Sequence, residues 1–303
     1  MRNPAIELYR VLLMFGIVLQ HAAGKGSERS PLLCFLCCFC VPGFVFISGY
    51  FGIKFSWRKL VSLYATAAFC ALVGAVVQSF RVADGCLATN WLLYMKWFWF
   101  LHAYAILMMF APMLNLAVNQ GYKLTVMPIL VLVFGWSYCY QIGHLKPFVF
   151  PAAGLGAQSP LTLIGIYLLA RWFRVSNFEE RLSTKSAFCA ILVSLAVASV
   201  GLAPCNSPFA LAAAIGLFVL FKQKVKCGRW IFMIAPSMFS IYCLHSTGPG
   251  LDFIREGGNW LVAQGMSTYA MFFVLAFVLF CACLACDCVR RILVLGVRRI
   301  GLI

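Results

Sequence analysis

The chain alternates apolar stretches with short polar breaks. Ten stretches have the composition of membrane-spanning helices: 5–23, 32–53, 60–80, 91–116, 124–140, 148–173, 186–202, 207–221, 231–247 and 267–293. Lipid offers no hydrogen bonds to the backbone, so apolar runs of this kind are read as helices. The breaks are too short to fold by themselves. The pattern therefore predicts an all-α polytopic membrane bundle of about ten helices in one domain, 1–303, without an appended soluble domain.

The sixth stretch is the least regular one. The segment 143–165 contains three prolines and several glycines, which would interrupt a straight helix. Irregular backbone at membrane depth is tolerated only in a protein interior or around a watery cavity. We therefore expect the first half of this span to be irregular or re-entrant.

Composition supports a membrane protein, since 63% of the 303 residues are hydrophobic and only 11% are charged. The first span could be mistaken for a signal peptide. The polar segment after it, 21–31, holds only a weak small-residue cleavage pattern, and the span itself carries Arg10 and ends at His21. We expect it to be retained.

The net charge of +16 follows the predicted topology and does not indicate nucleic-acid binding. With a cytoplasmic N-terminus, 17 Lys and Arg fall on cytoplasmic flanks and six on outer flanks. This bias obeys the positive-inside rule and places both termini in the cytoplasm. Anionic lipid headgroups are partners that account for most of the basic character.

Two clusters among the 15 cysteines raise the question of a metal site: CFLCCFC at 34–40 and CACLACDC at 281–288. Both lie inside apolar spans without paired histidines, whereas zinc motifs need turns that bring four ligands together. Buried free cysteines act as small hydrophobic residues. The prediction is packing and no metal.

The first span carries two polar residues that need a reason, Arg10 and His21. Eleven residues of helix place them on one face, about 16 Å apart along the axis. An arginine inside a span is costly and usually has a partner, for which Glu7 is one turn away. Arg10 paired with Glu7 near the inner headgroups and an interfacial His21 remain open as structural explanations, but their shared face favours function.

Four ordered segments resemble the acyltransferase type 3 family of bacterial integral-membrane enzymes. The opening helix NPAIELYRVLLMFGIVLQH has the family's spacing of an Arg, ten residues and a His. VPGFVFISGYF (41–51), KWFWFLHAYAILMMFAPMLN (96–115) and SIYCLHS (240–246) are similar to later family segments in the expected order. The resemblance covers most of the chain.

The resemblance implies transfer of an acyl group, commonly acetyl, from cytoplasmic acyl-CoA to a hydroxyl of a glycan or lipid-linked saccharide outside the bacterial cytoplasmic membrane. Acetyl-CoA would be a donor substrate and not a permanently bound cofactor. His21 is the expected general base, with Arg10 beside the donor phosphates. Candidate oxyanion or acceptor contacts are Ser48, Tyr50, Tyr242, His245 and Trp99.

One departure from the family concerns the donor site. Family members often carry two spaced arginines after the second helix, whereas this chain has Lys54, Arg58 and Lys59 without a second arginine three residues on. These three are expected either to contact the phosphates of acyl-CoA or to serve as topology charges. A transporter or flippase of a lipid-linked sugar is the alternative function, although the two related halves typical of such proteins are not visible.

Overall fold

The computed structural model describes residues 3–25, 28–82, 86–120, 160–200 and 207–299, and every regular element in these ranges is helical. In chain order the α-helices are α1 Pro4–Lys25, α2 Pro31–Leu36, α3 Cys40–Phe51, α4 Trp57–Arg81, α5 Leu87–Trp97, α6 Trp99–Asn119, α7 Pro160–Val175, α8 Phe178–Arg181, α9 Thr184–Ser199, α10 Pro208–Lys224, α11 Ile231–Ile234, α12 Met238–His245, α13 Gly248–Ala263 and α14 Thr268–Arg299. A 3₁₀ turn, Ala235–Ser237, joins α11 to α12. The predicted span 124–140 and most of the irregular segment 143–165 lie outside the described residues.

The all-helical prediction is confirmed for the described residues, and five segments are long and apolar enough to cross a membrane. They are Pro4–Lys25, Pro31–Phe51, Trp57–Arg81, Trp99–Asn119 and Thr268–Gly296. The exposed apolar side chains of the helix α14 show why a lipid environment would stabilise these segments. Its buried positions Phe272 and Ala276 alternate with Phe273 and Phe277, which are 47% and 61% exposed. A stripe of exposed phenylalanines at helical spacing is stable against lipid chains.

The structure differs from the predicted spans in four places. The span 32–53 is two helices, α2 and α3, with a turn at 37–39. The span 91–116 is two helices, α5 and α6, because the backbone turns at Phe98 (φ −75°, ψ 63°). The span 231–247 is divided by the 3₁₀ turn, where Pro236 lacks the N–H that a continuous helix needs. The polar stretch before the last span forms the helix α13, which begins with a proline in its first turn.

The chain forms two compact units. Unit 1 comprises Met1–Tyr9, Pro31–Leu63 and Trp99–Cys227, and unit 2 comprises Arg10–Ser30, Tyr64–Phe98 and Gly228–Ile303.

Unit 1 is built around α3, which packs against α7 and α10. A Cβ at Gly49 would lie 2.6 Å from the Tyr167 carbonyl oxygen, so α3 and α7 meet backbone to backbone. The ring of Phe46 packs edge-on against Phe173 and Phe218, with centroids 5.4 and 5.2 Å away. Small residues at close helix contacts and aromatic residues between them give this unit a dense core.

Unit 2 is organised around α14, against which α12 and α13 pack. A Cβ at Gly250 would lie 2.6 Å from the His245 carbonyl oxygen, so glycine is needed for the tight turn from α12 into α13. Arg81 at the end of α4 pairs with Asp252 and Glu256 on α13. Inside α14, Asp287 is fully buried and pairs with Arg290 at 2.7 Å. A buried carboxylate in an apolar helix requires such a partner.

Candidate functional site

His245 is the last residue of α12 and is completely buried. Its Nδ1 lies 2.7 Å from the carbonyl oxygen of Ile241, one turn earlier. A carbonyl oxygen can only accept a hydrogen bond, so Nδ1 carries the proton. In the neutral ring, Nε2 is then an acceptor.

His21 is the residue that uses this acceptor. Its Nδ1 is 2.9 Å from Nε2 of His245, and the ring centroids are 4.9 Å apart. Because Nε2 of neutral His245 accepts, Nδ1 of His21 must donate, which leaves the lone pair of His21 on its own Nε2. A fixed lone pair on a neutral imidazole is what a general base needs.

Two further polar side chains adjoin this histidine pair. The ring of Tyr242, one turn before His245, has its centroid 6.1 Å from that of His245. The hydroxyl of Ser246 lies 3.4 Å from Nε2 of His245. Tyr242 and His245, both expected from the sequence to serve the site, therefore accompany His21. The hydrogen bond between the two histidines was not predicted.

Arg10 lies on the same helix as His21 and is half-buried. Glu7, one turn before it, is only 5% exposed. The helix α1 is continuous from Pro4 to Lys25, so the expected rise of about 16 Å between Arg10 and His21 applies. The pairing of Arg10 with Glu7 stays a prediction.

A second polar cluster lies in unit 1 around Tyr50, which is only 2% exposed. Its hydroxyl donates to a carboxylate oxygen of Glu179 and accepts from Lys222 and from Nη1 of Arg174, the latter at 3.0 Å. Glu179 also receives direct ion pairs from Arg174 at 2.9 Å and from Lys222 at 2.6 Å. The two cations lie over the Tyr50 ring, 5.2 and 4.8 Å from its centroid.

Local structure explains how Glu179 reaches this cluster. Asn177 adopts a left-handed backbone (φ 50°) after α7 and is the N-cap residue of the short helix α8. Asparagine tolerates this conformation better than most residues. Burial alone would raise the pKa of Glu179, but hydrogen bonds from Lys222 and Tyr50 and the charges of Lys222 and Arg174 hold that pKa below its usual value. Glu179 is therefore ionised near neutral pH.

The remaining predicted residues have other surroundings. Ser48 donates to the Phe44 carbonyl at 3.0 Å and accepts from Tyr104 at 3.1 Å. The ring of Trp99 packs against that of Phe100, with centroids 5.7 Å apart. The side chains of Lys54, Arg58 and Lys59 are all exposed.

Sequence reasoning missed the charged cluster because Arg174 and Lys222 were counted only as topology charges. A signal was available in the scarcity of acids, since the chain has only eight Asp and Glu residues. Among the described residues, Asp252, Glu256, Glu179 and Asp287 are ion-paired with arginine or lysine. Among the described residues, no three His, Cys, Asp or Glu side chains are grouped as metal ligands would be.

Comparison with known proteins agrees with the resemblance seen in the sequence. The family model of the type 3 acyltransferase domain matches residues 3–288, nearly the whole chain. No curated protein and no solved structure matches. The matched range includes both histidines of the pair and the charged cluster around Tyr50. This protein belongs to the acyltransferase 3 family and is a membrane acyltransferase.

Proposed function

We propose that this acyltransferase moves an acetyl group from cytoplasmic acetyl-CoA to a hydroxyl of a glycan or lipid-linked saccharide on the outer side of the bacterial cytoplasmic membrane. The observation that supports this most is the hydrogen bond between His21 and His245, at 2.9 Å, with the His245 proton on the side of Ile241. It gives His21 the tautomer of a general base inside an apolar helix.

In the proposed reaction, Nε2 of His21 removes the proton of the acceptor hydroxyl as its oxygen attacks the thioester carbonyl carbon. The tetrahedral intermediate then collapses, and the carbon–sulfur bond breaks. The coenzyme A thiolate leaves and takes the proton back from His21, so the products are an acetyl ester and free coenzyme A. A positioned base of this kind contributes about 10² to 10⁴ in rate.

The intermediate carries an oxyanion, which hydrogen-bond donors must stabilise. Tyr242 is the donor candidate that accompanies the histidine pair. Ser48 and Tyr50, expected from the sequence as donors, already donate their hydroxyl protons to the Phe44 carbonyl and to Glu179. Trp99 is the proposed acceptor contact; His245 is not, because Ile241 and His21 already use both of its ring nitrogens. Arg10, about 16 Å of helix rise from His21, is proposed to meet the donor phosphates on the inner side.

The proposed topology has ten spans and two cytoplasmic termini. It brings a cytoplasmic donor and an external acceptor to opposite ends of one helix, α1. This orientation is supported by the distribution of Lys and Arg, with 17 on the proposed cytoplasmic flanks and six on the outer flanks.

The test is acetyl transfer by purified protein in lipid nanodiscs, with acetyl-CoA and glycans isolated from cells that lack the gene. Release of free coenzyme A and incorporation of labelled acetyl are both measured. We expect His21→Ala to lose at least about 10²-fold in transfer while it retains membrane abundance and coenzyme A binding.

The matched control is His144→Ala, the same change at a histidine that lies between the predicted spans 124–140 and 148–173, outside the described residues, and it should transfer at the wild-type rate. Wild-type turnover by His21→Ala would end the case for this residue as the base. Hydrolysis of acetyl-CoA without acetyl incorporation into any glycan would contradict the proposed acceptor class and leave the acyltransferase assignment intact.

A further inference from the structure

Unit 1 contains a cavity of about 290 Å³ beside the Tyr50 cluster. Its lining includes Asn3, Tyr50, Arg171, Arg174 and Lys222. At about 30 Å³ per water molecule, this volume corresponds to about ten waters, which is room for a small polar group. Ile6 and Phe51 complete the lining, so three of its seven side chains are cations.

The charges in this cavity do not balance within the cluster. Glu179 is the carboxylate bound to Arg174 and Lys222, and it neutralises one positive charge. Arg171, Arg174 and Lys222 supply three, which leaves an excess of two positive charges among these four described side chains. Bringing like charges together is unfavourable unless an anion compensates them.

Arg171 has hydrogen-bonding capacity to spare. Its Nε is buried and has no hydrogen-bond partner among the residues that the structure describes, and its Nη2 makes one long bond, 3.3 Å, to Asn119. A guanidinium offers five N–H donors. The neighbouring Gly52 (φ 76°) leaves room for this guanidinium group, because a Cβ at position 52 would lie 3.0 Å from Nη1 of Arg171.

The cations are held in place before any ligand arrives. Arg171 and Arg174 are three residues apart near the C-terminal end of α7, so they share one face. The hydroxyl of Tyr50 and the carboxylate of Glu179 fix Arg174 and Lys222. Preorganised donors bind an anion with little loss of side-chain entropy.

We propose that this cavity is a binding site for the phosphate or diphosphate group of a ligand, with Arg171 as its principal donor. Two excess charges match the charge of a phosphate group, and planar guanidinium forks suit phosphate oxygens. Lys54, Arg58 and Lys59 are exposed, whereas Arg171, Arg174 and Lys222 line one common, partly open cavity. The phosphate could belong to the nucleotide end of coenzyme A, which rests on the proposed function, or to an anionic lipid headgroup, which does not.

The test uses the full chain purified in a neutral detergent. Coenzyme A binding is measured by calorimetry, with inorganic pyrophosphate as competitor, and lipid binding by the shift in melting temperature on addition of phosphatidylglycerol or neutral phosphatidylcholine. The variants are Arg171→Gln, Arg171→Lys and the control Arg181→Gln. The control removes the same charge from an exposed side chain in the nearby helix α8, outside the cavity lining.

We expect Arg171→Gln to lower the affinity for the affected ligand about tenfold and Arg171→Lys to lower it less. Arg181→Gln should change this affinity by less than about twofold. Loss of coenzyme A and pyrophosphate binding supports the nucleotide source. Loss of phosphatidylglycerol stabilisation alone supports the lipid source. Unchanged binding of both ligands in Arg171→Gln, or equal effects of Arg171→Gln and Arg181→Gln, would overturn the site.

Two controls distinguish loss of this binding site from misfolding of the variant and from failure of the proposed reaction. Arg171→Lys keeps the charge, so it provides the binding measurement if Arg171→Gln does not fold. Wild-type affinity in Arg171→Lys would contradict the proposal that the planar guanidinium group of Arg171 is the phosphate donor. His21→Ala should bind coenzyme A and pyrophosphate normally. An inactive enzyme that still binds pyrophosphate through Arg171 would contradict the proposed reaction and leave the phosphate site standing.

Discussion

The role of His245 can be tested by replacing it with leucine and with glutamine. His245→Leu keeps most of the buried volume but removes the acceptor for Nδ1–H of His21. His245→Gln restores an acceptor in the form of an amide oxygen. Because His245 is fully buried, both variants require a check of melting temperature beside the wild type.

The expected loss follows from the single hydrogen bond at 2.9 Å that fixes the His21 tautomer. Such a bond contributes about 0.5 to 1.5 kcal/mol, which corresponds to about a 2- to 13-fold change in the population of the productive tautomer. The base itself contributes about 10² to 10⁴. We therefore expect His245→Leu to lower kcat by about tenfold, far less than His21→Ala, and His245→Gln to recover most of that loss.

The assay is steady-state acetyl transfer with the acceptor and donor varied separately. A tautomer effect changes kcat and leaves the two Michaelis constants nearly unchanged. A loss of 10² or more in His245→Leu without rescue by glutamine would mean that His245 transfers the proton itself. A raised acceptor Michaelis constant with unchanged kcat would make it an acceptor contact, and wild-type kinetics would refute any role.

Three further predictions concern topology, the donor and acid pH. Tags at Lys224 and at the C-terminus should report from the cytoplasm and a tag near Arg255 from outside; a cytoplasmic signal at Arg255 would contradict the ten-span topology. Neutralising Lys54, Arg58 and Lys59 together should raise the donor Michaelis constant more than that of the acceptor if they bind phosphates, and unchanged donor kinetics would identify them as topology charges. The lowered pKa of Glu179 means that its ion pairs stabilise the protein above the usual carboxylate pKa and lose this effect as pH falls through the lower folded value. The difference in melting temperature between wild type and Glu179→Gln should therefore be constant from pH 7 to about pH 5 and shrink below about pH 4; a difference that shrinks above pH 5 would refute the assignment.

The sequence predicted the helices well because a bilayer allows few alternatives to a helix for an apolar run. The break at Phe98 could not be read from the residues, since no proline or glycine marks it. The helix α13 lies between two predicted spans and was not predicted, although a proline is well placed in its first turn. The break at Pro236 was also missed, although that proline marks it.

The same division applies to the site. Arg10 and His21 were predicted from their spacing on one helix, and Tyr242 and His245 from a short motif. The tautomer of His21 depends on a partner 224 residues away. Sequence gives residue types and helical faces, but proton positions require the geometry of a folded neighbour.

The close contact between α3 and α7 has a mechanical consequence for the phosphate site. The position of α7 is set where Gly49 meets the backbone at Tyr167, and Arg171 lies one turn further along. The Tyr167 hydroxyl also bonds the backbone N–H of Ile53 at 2.9 Å, which ties the end of α3 to the same turn. A larger residue at position 49 would therefore displace the guanidinium groups of Arg171 and Arg174 together. Leu161, at the other end of α7, is 46% exposed, so its side chain can vary without moving either guanidinium group.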